Sequence, residues 1–160
     1  MPSSIATDNP IYRNHVRWMQ RAIELAEAAG LAGEVPVGAV IVARDELIAE
    51  GENRRERDCD PTAHAEIVAL RSAGAKLNTW HLEHCTMYVT LEPCPMCAGA
   101  IVAARLGTLV YGADDPKTGS VRTVANIPDS PCSNHRPIVW AGILEANCRD
   151  QLQQWFSQRR

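Results

Sequence analysis

The chain has 160 residues, the length of one domain; 46% of them are hydrophobic and 22% are charged. This balance excludes an intrinsically disordered chain, and the formal net charge of −3 argues against a broadly basic coat for nucleic acid or an anionic membrane. No apolar run reaches the roughly 18 residues that a transmembrane helix requires. We expect a flexible tail over residues 1–9 and a single domain over residues 10–160.

The charges are distributed unevenly along the chain. Residues 1–115 hold 10 basic and 16 acidic side chains, a sum of −6, whereas residues 116–160 hold 6 basic and 3 acidic side chains, a sum of +3. A basic segment of this kind is either an ordinary solvated face or the footprint of an anionic ligand. The net charge therefore leaves room for a small, local basic surface.

The first half of the chain predicts one helix followed by a strand pair. Apolar residues three and four positions apart predict a helix from Pro10 to Gly30, with Asn9 as its N-cap. The run from Pro36 to Ala43 is rich in Val and predicts a buried strand. A turn at Asp45-Glu46 then leads into a second strand over Leu47–Gly51, which forms a hairpin with the first.

The second half continues with alternating helices and strands. In chain order we predict a helix from Asp60 to about Ser72 stopped by Gly74, a strand over Thr86–Leu91, a helix over Cys94–Arg105, a strand over Thr108–Tyr111, a long functional loop with room for a short helix over Asp114–Arg136, a strand over Ile138–Trp140 and a helix over Leu144–Arg160. A hairpin combined with helical crossovers predicts a mixed five-stranded sheet between helices, which is a three-layer α/β/α sandwich of the α/β class.

Two short motifs carry the residues of a metal site. His64-Ala65-Glu66 and Pro93-Cys94-Pro95-Met96-Cys97 each stand at a predicted helix start. With Cys94 as N-cap and Pro95 as the first helical residue, the two thiols lie on one turn and point the same way. The positive helix end favours thiolates there, and His64 adds a neutral third ligand. Three protein ligands leave a fourth zinc position open, which is typical of catalytic rather than structural zinc sites.

Glu66 makes this an enzyme hypothesis. It lies two residues after His64 and is close enough to reach a water molecule at the metal. A carboxylate there can accept a proton from that water and deliver it to a leaving group. The pattern therefore predicts metal-assisted hydrolysis with Glu66 as the proton carrier.

Two other uses of the cysteines stay open at this point. Cys-x-x-Cys at a helix start is also a redox motif, and a closed structural zinc site would take a fourth ligand from Cys59, His81, His84 or Cys85. The N-terminus lacks the apolar core of a signal peptide, so we expect a cytoplasmic protein with reduced thiols. We interpret the cysteines outside the motif as ordinary thiols: Cys59, Cys85, Cys132 and Cys148.

The sequence resembles the cytidine-deaminase-like superfamily and, within it, the bacterial tRNA-specific adenosine deaminases. His-x-Glu followed by Pro-Cys-x-x-Cys is the signature of zinc nucleobase deaminases. The resemblance covers nearly the whole chain after the first dozen residues, although residues 120–132 match poorly. The matching stretches are Glu34–Val40, Asn53, Asp60–Glu66, Tyr88–Ile101, Gly112–Gly119, Asn134–Arg136, Trp155-Phe156 and Arg159-Arg160.

The resemblance implies hydrolytic deamination of the wobble adenosine in a tRNA anticodon loop, which gives inosine. It implies one Zn²⁺ per chain on His64, Cys94 and Cys97, with Glu66 as catalytic residue. It also implies a homodimer that builds its RNA groove from both subunits and binds neither DNA nor a membrane. The substrate-binding residues that it implies are Val35, Pro36, Asn53, Ala65, Pro93, Asp115, Lys117, Asn134, His135, Phe156, Arg159 and Arg160.

Two alternative functions remain at the level of sequence. A deaminase of free guanine or cytosine carries closely related motifs, although Asn53 and the segment 112–117 favour tRNA. A catalytically idle RNA-binding module could keep the fold, but the complete set of metal and proton-transfer residues disfavours it. Inosine formation on an anticodon stem-loop, compared with ammonia release from free bases, separates the two enzymes.

Overall fold

The computed structural model describes residues 7–159, so most of the expected tail, residues 1–6, lies outside the described residues. The elements, in chain order, are α1 (Pro10–Leu31), β1 (Gly38–Ala43), β2 (Glu46–Glu52), α2 (Ala65–Leu77), β3 (Thr86–Leu91), α3 (Pro95–Ala103), β4 (Thr108–Ala113), β5 (Ile138–Ala141) and α4 (Glu145–Ser157). Among residues 7–159 no helix combines the length and the apolar character needed to cross a membrane.

The five strands form one mixed sheet in the order β2-β1-β3-β4-β5. The β1 strand pairs antiparallel with both β2 and β3, whereas β4 pairs parallel with both β3 and β5. Alternate residues of a strand point to opposite faces, and both faces here are covered by helices. The predicted three-layer α/β sandwich with a mixed five-stranded sheet is therefore confirmed.

The two faces of the sheet have separate hydrophobic cores. On one face, Ile41 and Met87 pack with residues of α2 and α3. On the other face, Val40 and Tyr88 pack with residues of α1 and α4. The alternation explains why the central strands read as continuous apolar runs, since neither set of side chains reaches solvent.

Local hydrogen bonds shift several boundaries from their predicted positions. The hairpin turn is at Arg44 and Asp45, which both have positive φ, one residue earlier than predicted. The helix predicted from Asp60 begins instead at Ala65, because the Asp60 carboxylate accepts hydrogen bonds from the Thr62 backbone and hydroxyl and folds this segment into a turn. Gly74 does not end this helix, which continues until Asn78 adopts a left-handed conformation.

The long connection between β4 and β5 contains only turns and bends over its described residues, without the short helix for which the sequence left room. It carries the chain from the carboxyl end of β4 back to its amino end, because Ile138 of β5 pairs beside Thr108. Residues at the start and the end of this connection therefore lie at opposite ends of the sheet.

Gly51 sets the distance between β2 and the first turns of α2. A β-carbon at Gly51 would overlap the Ala65 carbonyl oxygen and stand 2.8 Å from the Ala69 nitrogen. The strand thus passes directly over the backbone of α2, next to the His-Ala-Glu motif. Only glycine allows this approach, since the atoms in the way are backbone atoms and cannot rotate aside.

We predict that Gly51→Ala lowers the free energy of unfolding by about 1–3 kcal/mol, the usual cost of overpacking a well-packed interior. Chemical denaturation of the wild type and the variant measures the difference. Gly99→Ala is the control, because no atom lies within 4 Å of a β-carbon built at this glycine of α3. Equal stability of the Gly51 variant and the wild type would show that the contact is not restrictive.

Candidate active site

Two helix starts bring three metal-binding atoms together. His64 is the N-cap of α2 and Cys94 is the N-cap of α3, while Cys97 lies buried in the first turn of α3. The Nδ1 atom of His64 is 3.6 Å from Cys94 Sγ and 3.5 Å from Cys97 Sγ. All three candidate ligand atoms lie within 4.8 Å of one another. Each side chain points into the gap between the two helices.

These distances fit a tetrahedral zinc ion. With Zn–N near 2.1 Å and Zn–S near 2.3 Å, tetrahedral geometry separates nitrogen from sulfur by about 3.6 Å. Both observed nitrogen–sulfur distances agree with this value. In the part of the chain that the structure describes, no fourth His, Cys, Asp or Glu joins the group. The donor set is therefore that of an open site rather than of a closed structural one.

A hydrogen bond between the two thiols moves their pKa values in opposite directions. A hydrogen bond from Cys97 lowers the pKa of the Cys94 thiol to about 4 against the opposing effect of burial, and the bond to His64 lowers it further. The same hydrogen bond, together with burial, raises the pKa of Cys97. The arrangement thus favours the thiolate form of Cys94, which is the form of cysteine that binds a metal.

Glu66 is buried beside these donors. It is the second residue of α2, its side chain is almost fully enclosed, and it lines the same cavity as His64 and Cys94. Burial raises the pKa of its carboxyl group. A carboxyl group in this position can hold or release a proton directly at the metal-binding atoms.

The cavity at this site has a volume of about 160 Å³. It brings together four of the residues that the family resemblance implies for the substrate: Val35, Asn53, Ala65 and Asp115. Its remaining wall consists of residues to which the sequence assigned no role: Val37, Arg55, Leu91, Glu92 and Thr118. The cavity therefore has metal-binding residues on one side, and apolar and polar residues share the rest of its wall.

A buried carboxylate holds one wall of the cavity. Glu34 is 1% exposed, and it accepts hydrogen bonds from the backbone N–H groups of Glu56 (3.2 Å) and Arg57 (2.7 Å). The Arg57 guanidinium lies 3.6 Å from the same carboxylate. These contacts fix the loop that contributes Asn53 and Arg55 to the cavity.

A second buried carboxylate holds the opposite wall. Glu92, also 1% exposed, accepts a hydrogen bond from the Thr123 hydroxyl and from four backbone N–H groups: those of Asp115, Val121, Arg122 and Thr123. Burial alone would raise the pKa of Glu92, but the hydrogen bonds from Thr123 and the backbone lower it overall. The Glu92 carboxylate thus holds the loop after β4 against the segment that leads into Pro93 and Cys94.

The sequence analysis assigned no role to either of these buried carboxylates, Glu34 and Glu92. The sequence does show an acidic residue next to a predicted buried strand in both cases, and a buried carboxylate requires hydrogen-bond donors or a positive charge nearby. The partners themselves lie 22 to 31 residues away, so no local pattern could name them.

The remaining predicted residues near this end of the sheet surround the cavity without lining it. Pro36 lies in a separate groove between α1 and α4, together with Trp155 and Arg159. The buried Pro93 accepts a hydrogen bond from Ser120 through its carbonyl oxygen. Lys117 lies in an exposed turn that the Asp115 carboxylate caps.

The predicted residues from the end of the β4–β5 connection lie elsewhere. The His135 Nε2 atom is 2.7 Å from the carbonyl oxygen of Leu106, just before β4, and Asn134 is exposed beside it. Asp115 follows the other end of β4, a six-residue strand about 17 Å long. Within one chain, the structure therefore does not bring Asn134 and His135 to the cavity.

The last helix ends with aromatic and basic side chains. Phe156 is exposed on α4, and the Arg159 guanidinium lies 3.7 Å from the centre of the Trp155 ring. The indole nitrogen of Trp155 donates to the carbonyl oxygen of Gly30, which places this end of α4 near the start of β1. The last predicted residue, Arg160, lies outside the described residues.

Comparison with known proteins identifies the class of this fold and site. A family model of MafB19-like deaminases matches residues 13–145. The mixed sheet with a His-Cys-Cys group at two helix starts is thus the framework of a deaminase.

Individual relatives narrow this class. The tRNA-specific adenosine deaminase of Bacillus subtilis is 45% identical over 143 residues, which are 89% of each chain. A solved structure from work on A-to-I editing by tRNA:A34 deaminases at the wobble position of transfer RNA matches with a TM-score of 0.83 and 41% identity, over 84% of this chain and 98% of that chain. A guanine deaminase from Nitrosomonas europaea matches with a TM-score of 0.75 and 28% identity, over 89% and 84%. The chain belongs to the tRNA-specific adenosine deaminase family.

We predict that Cys97→Ala lowers the affinity for metal more than about 100-fold, because the loss of a hydrogen bond to a ligand alone costs about 10- to 100-fold. Mass spectrometric metal analysis after equilibration with a graded chelator measures the change. Cys59→Ala is the control, since Cys59 is exposed and lies outside the donor group. Equal metal retention by the two variants would contradict the assignment.

Proposed function

We propose that this protein converts the wobble adenosine of a tRNA anticodon loop to inosine by hydrolytic deamination. The observation that carries the proposal is the enclosed cavity in which Glu66 stands beside His64 and Cys94. The relatives with 40–45% identity that are named tRNA-specific adenosine deaminases supply the substrate class. Such a protein would act in the cytoplasm, which is also what we expect from the sequence.

We propose that the resident metal is one Zn²⁺ per chain, held by His64, Cys94 and Cys97. The support is the fit of the nitrogen–sulfur distances and the thiolate character of Cys94. When bound, zinc lowers the pKa of a water molecule at the open position towards ~7 and so makes hydroxide available at neutral pH.

Glu66 carries the protons of the reaction. Its carboxylate accepts one proton from the attacking water and transfers it to ring N1 of the adenine. It then accepts the second proton from the hydroxyl group now bonded to C6 and delivers it to the amino group, which leaves C6 as ammonia. The Asn53 side chain and the Val35 backbone lie across the cavity, joined by a 3.2 Å hydrogen bond. They form a fixed edge against which a flipped purine can be oriented.

The surroundings of the cavity suit a single-stranded loop. Proteins bind such RNA by stacking splayed bases and by a few charges rather than through a basic coat. We propose that Lys117, Phe156 and Arg159 contact the loop, because all three lie at the cavity end of the sheet. This assignment gives two of the six basic residues of the segment 116–160 a use in RNA binding, whereas Arg122, Arg136 and Arg149 lie close to acidic side chains.

We also propose that the protein is a homodimer. A groove between α2 and α3 exposes apolar side chains, including Ile67 and Leu70, and ends at the largely exposed Trp80. An open apolar groove of this kind is typical of an interface. A second copy would also offer a way for Asn134 and His135 to reach an RNA bound at the other subunit.

The dimer predicts a concentration-dependent mass. We expect sedimentation to give twice the mass of one chain, and we expect Ala103→Glu to give a monomer. Ala103 is exposed in this groove, so the new charge would be buried unpaired at the interface but solvated in the monomer. A wild-type monomer at micromolar concentration, or a dimeric variant, would contradict the proposed interface.

The alternative substrate is a free nucleobase, which the likeness to a guanine deaminase favours. We predict inosine formation on an anticodon stem-loop that carries adenosine at the wobble position, with kcat/KM at least about 100-fold above that for free guanine or cytosine. Remote contacts to the RNA strengthen binding in the transition state, and a free base lacks them. Nucleoside analysis of the RNA and ammonia release from the bases give the two rates. A preference for guanine would replace the proposed function.

The role of Glu66 has its own test. We expect Glu66→Gln to lower kcat on the stem-loop by about 10²–10⁴, the usual contribution of a general acid–base residue. Metal content should stay the same, since Glu66 lies outside the donor group. A variant that keeps its metal and turns over at nearly the wild-type rate would refute the role.

A further inference from the structure

Arg55 is a cavity residue with no assigned role. Among the twelve residues that line the cavity, it is the only lysine or arginine, whereas Glu66, Glu92 and Asp115 contribute carboxyl groups. The side chain is exposed at the entrance rather than buried in the wall. An RNA strand that inserts a base into this cavity would bring its phosphates to the entrance, where Arg55 supplies a positive charge.

The two neighbouring arginines are used within the fold. Arg54 donates two hydrogen bonds to the Asp58 carboxylate, at 2.9 and 3.1 Å. Arg57 lies 3.6 Å from the Glu34 carboxylate and donates to the carbonyl oxygen of Asn53 at 2.9 Å. Their guanidinium groups are therefore already engaged by partners within the fold.

The guanidinium of Arg55 is different, because it makes no hydrogen bond or ion pair with any residue in the described range 7–159. Its backbone is nevertheless held at both ends. The N–H donates to the Asn53 side-chain oxygen at 3.2 Å, and the carbonyl oxygen accepts from the Asp60 N–H at 3.1 Å. The loop thus presents an unpaired guanidinium from a fixed position next to Asn53.

We propose that Arg55 binds a backbone phosphate of the RNA next to the flipped adenosine. The guanidinium is planar and always charged, and it matches two phosphate oxygens with parallel N–H donors. This inference rests on the proposed function and deepens it. Arg55 selects for a base that belongs to a polynucleotide, because a free nucleobase has no phosphate to offer.

The test is direct binding of an anticodon stem-loop by fluorescence anisotropy, in a Glu66→Gln background that leaves the RNA unconverted. We expect Arg55→Gln to weaken binding roughly 10- to 100-fold, the usual effect of losing a charged hydrogen-bonded pair. The slope of log affinity against log salt should fall by about 0.7 for the one lost phosphate contact. Arg54→Gln is the matched control. It removes the same positive charge from the neighbouring residue, whose guanidinium is already paired with Asp58.

A neutral methylphosphonate in the RNA locates the contact. It is placed either on the 5′ or on the 3′ side of the adenosine. At one of these two positions it should weaken binding to the protein that keeps Arg55 but leave binding to the Arg55→Gln variant unchanged. The proposal would be overturned if the methylphosphonate and the Arg55→Gln substitution had fully additive effects on binding at both positions. Equal binding by the Arg54 and Arg55 variants would overturn it as well. Melting temperatures of both variants confirm that the fold is intact.

Inosine formation by proteins that keep Glu66 separates this inference from the proposed function. Failure of the wild type to form inosine on the stem-loop would contradict the deaminase assignment. Normal inosine formation combined with unchanged affinity in the Arg55→Gln variant would contradict only the phosphate contact. In the supported case, kcat at saturating RNA stays within about twofold while KM rises, since the contact adds equally to ground and transition states.

Discussion

The geometry of the site depends on two helix starts that face each other at one edge of the sheet. Each supplies a residue that is at once an N-cap and a metal donor, His64 on α2 and Cys94 on α3. Neither side chain caps its own helix by a hydrogen bond, so both are free to turn towards the gap. The packing of α2 and α3 against the same face of the sheet fixes their separation. The metal-binding distances are thus a consequence of how two helices pack.

The substrate side of the cavity is built differently, from loops rather than from helices. The backbone N–H groups of these loops have no partners in a helix or sheet. Several of them donate hydrogen bonds instead to the buried carboxylates of Glu34 and Glu92. Such charge-assisted bonds are strong in a water-poor setting and costly to break. Two loops that would otherwise be mobile therefore become walls with defined positions, and Arg55 stands on one of them.

Sequence reasoning predicted the fold from local patterns, and it grouped His64 with Cys94 and Cys97, which lie 30 and 33 residues away, only because the two motifs together form a known signature. Apolar periodicity defines strands and helices, and the donors Cys94 and Cys97 lie three residues apart on one turn. It failed where the determining contact is distant. The α2 helix begins late because Asp60 folds a turn first, and Arg55 is free only because Asp58 and Glu34 hold its neighbours. Pairing among several nearby charges is a three-dimensional outcome that spacing alone does not encode.

The proposed chemistry depends on an open metal site with one nitrogen and two sulfur donors from the protein. Zinc K-edge X-ray absorption spectroscopy of the zinc-loaded protein tests it most directly, because sulfur and nitrogen shells differ in distance. We predict two sulfur atoms near 2.3 Å and two nitrogen or oxygen atoms near 2.0–2.1 Å, one of them from His64 and one from water. A shell of three or four sulfur atoms, or one without sulfur, would contradict this set of donors.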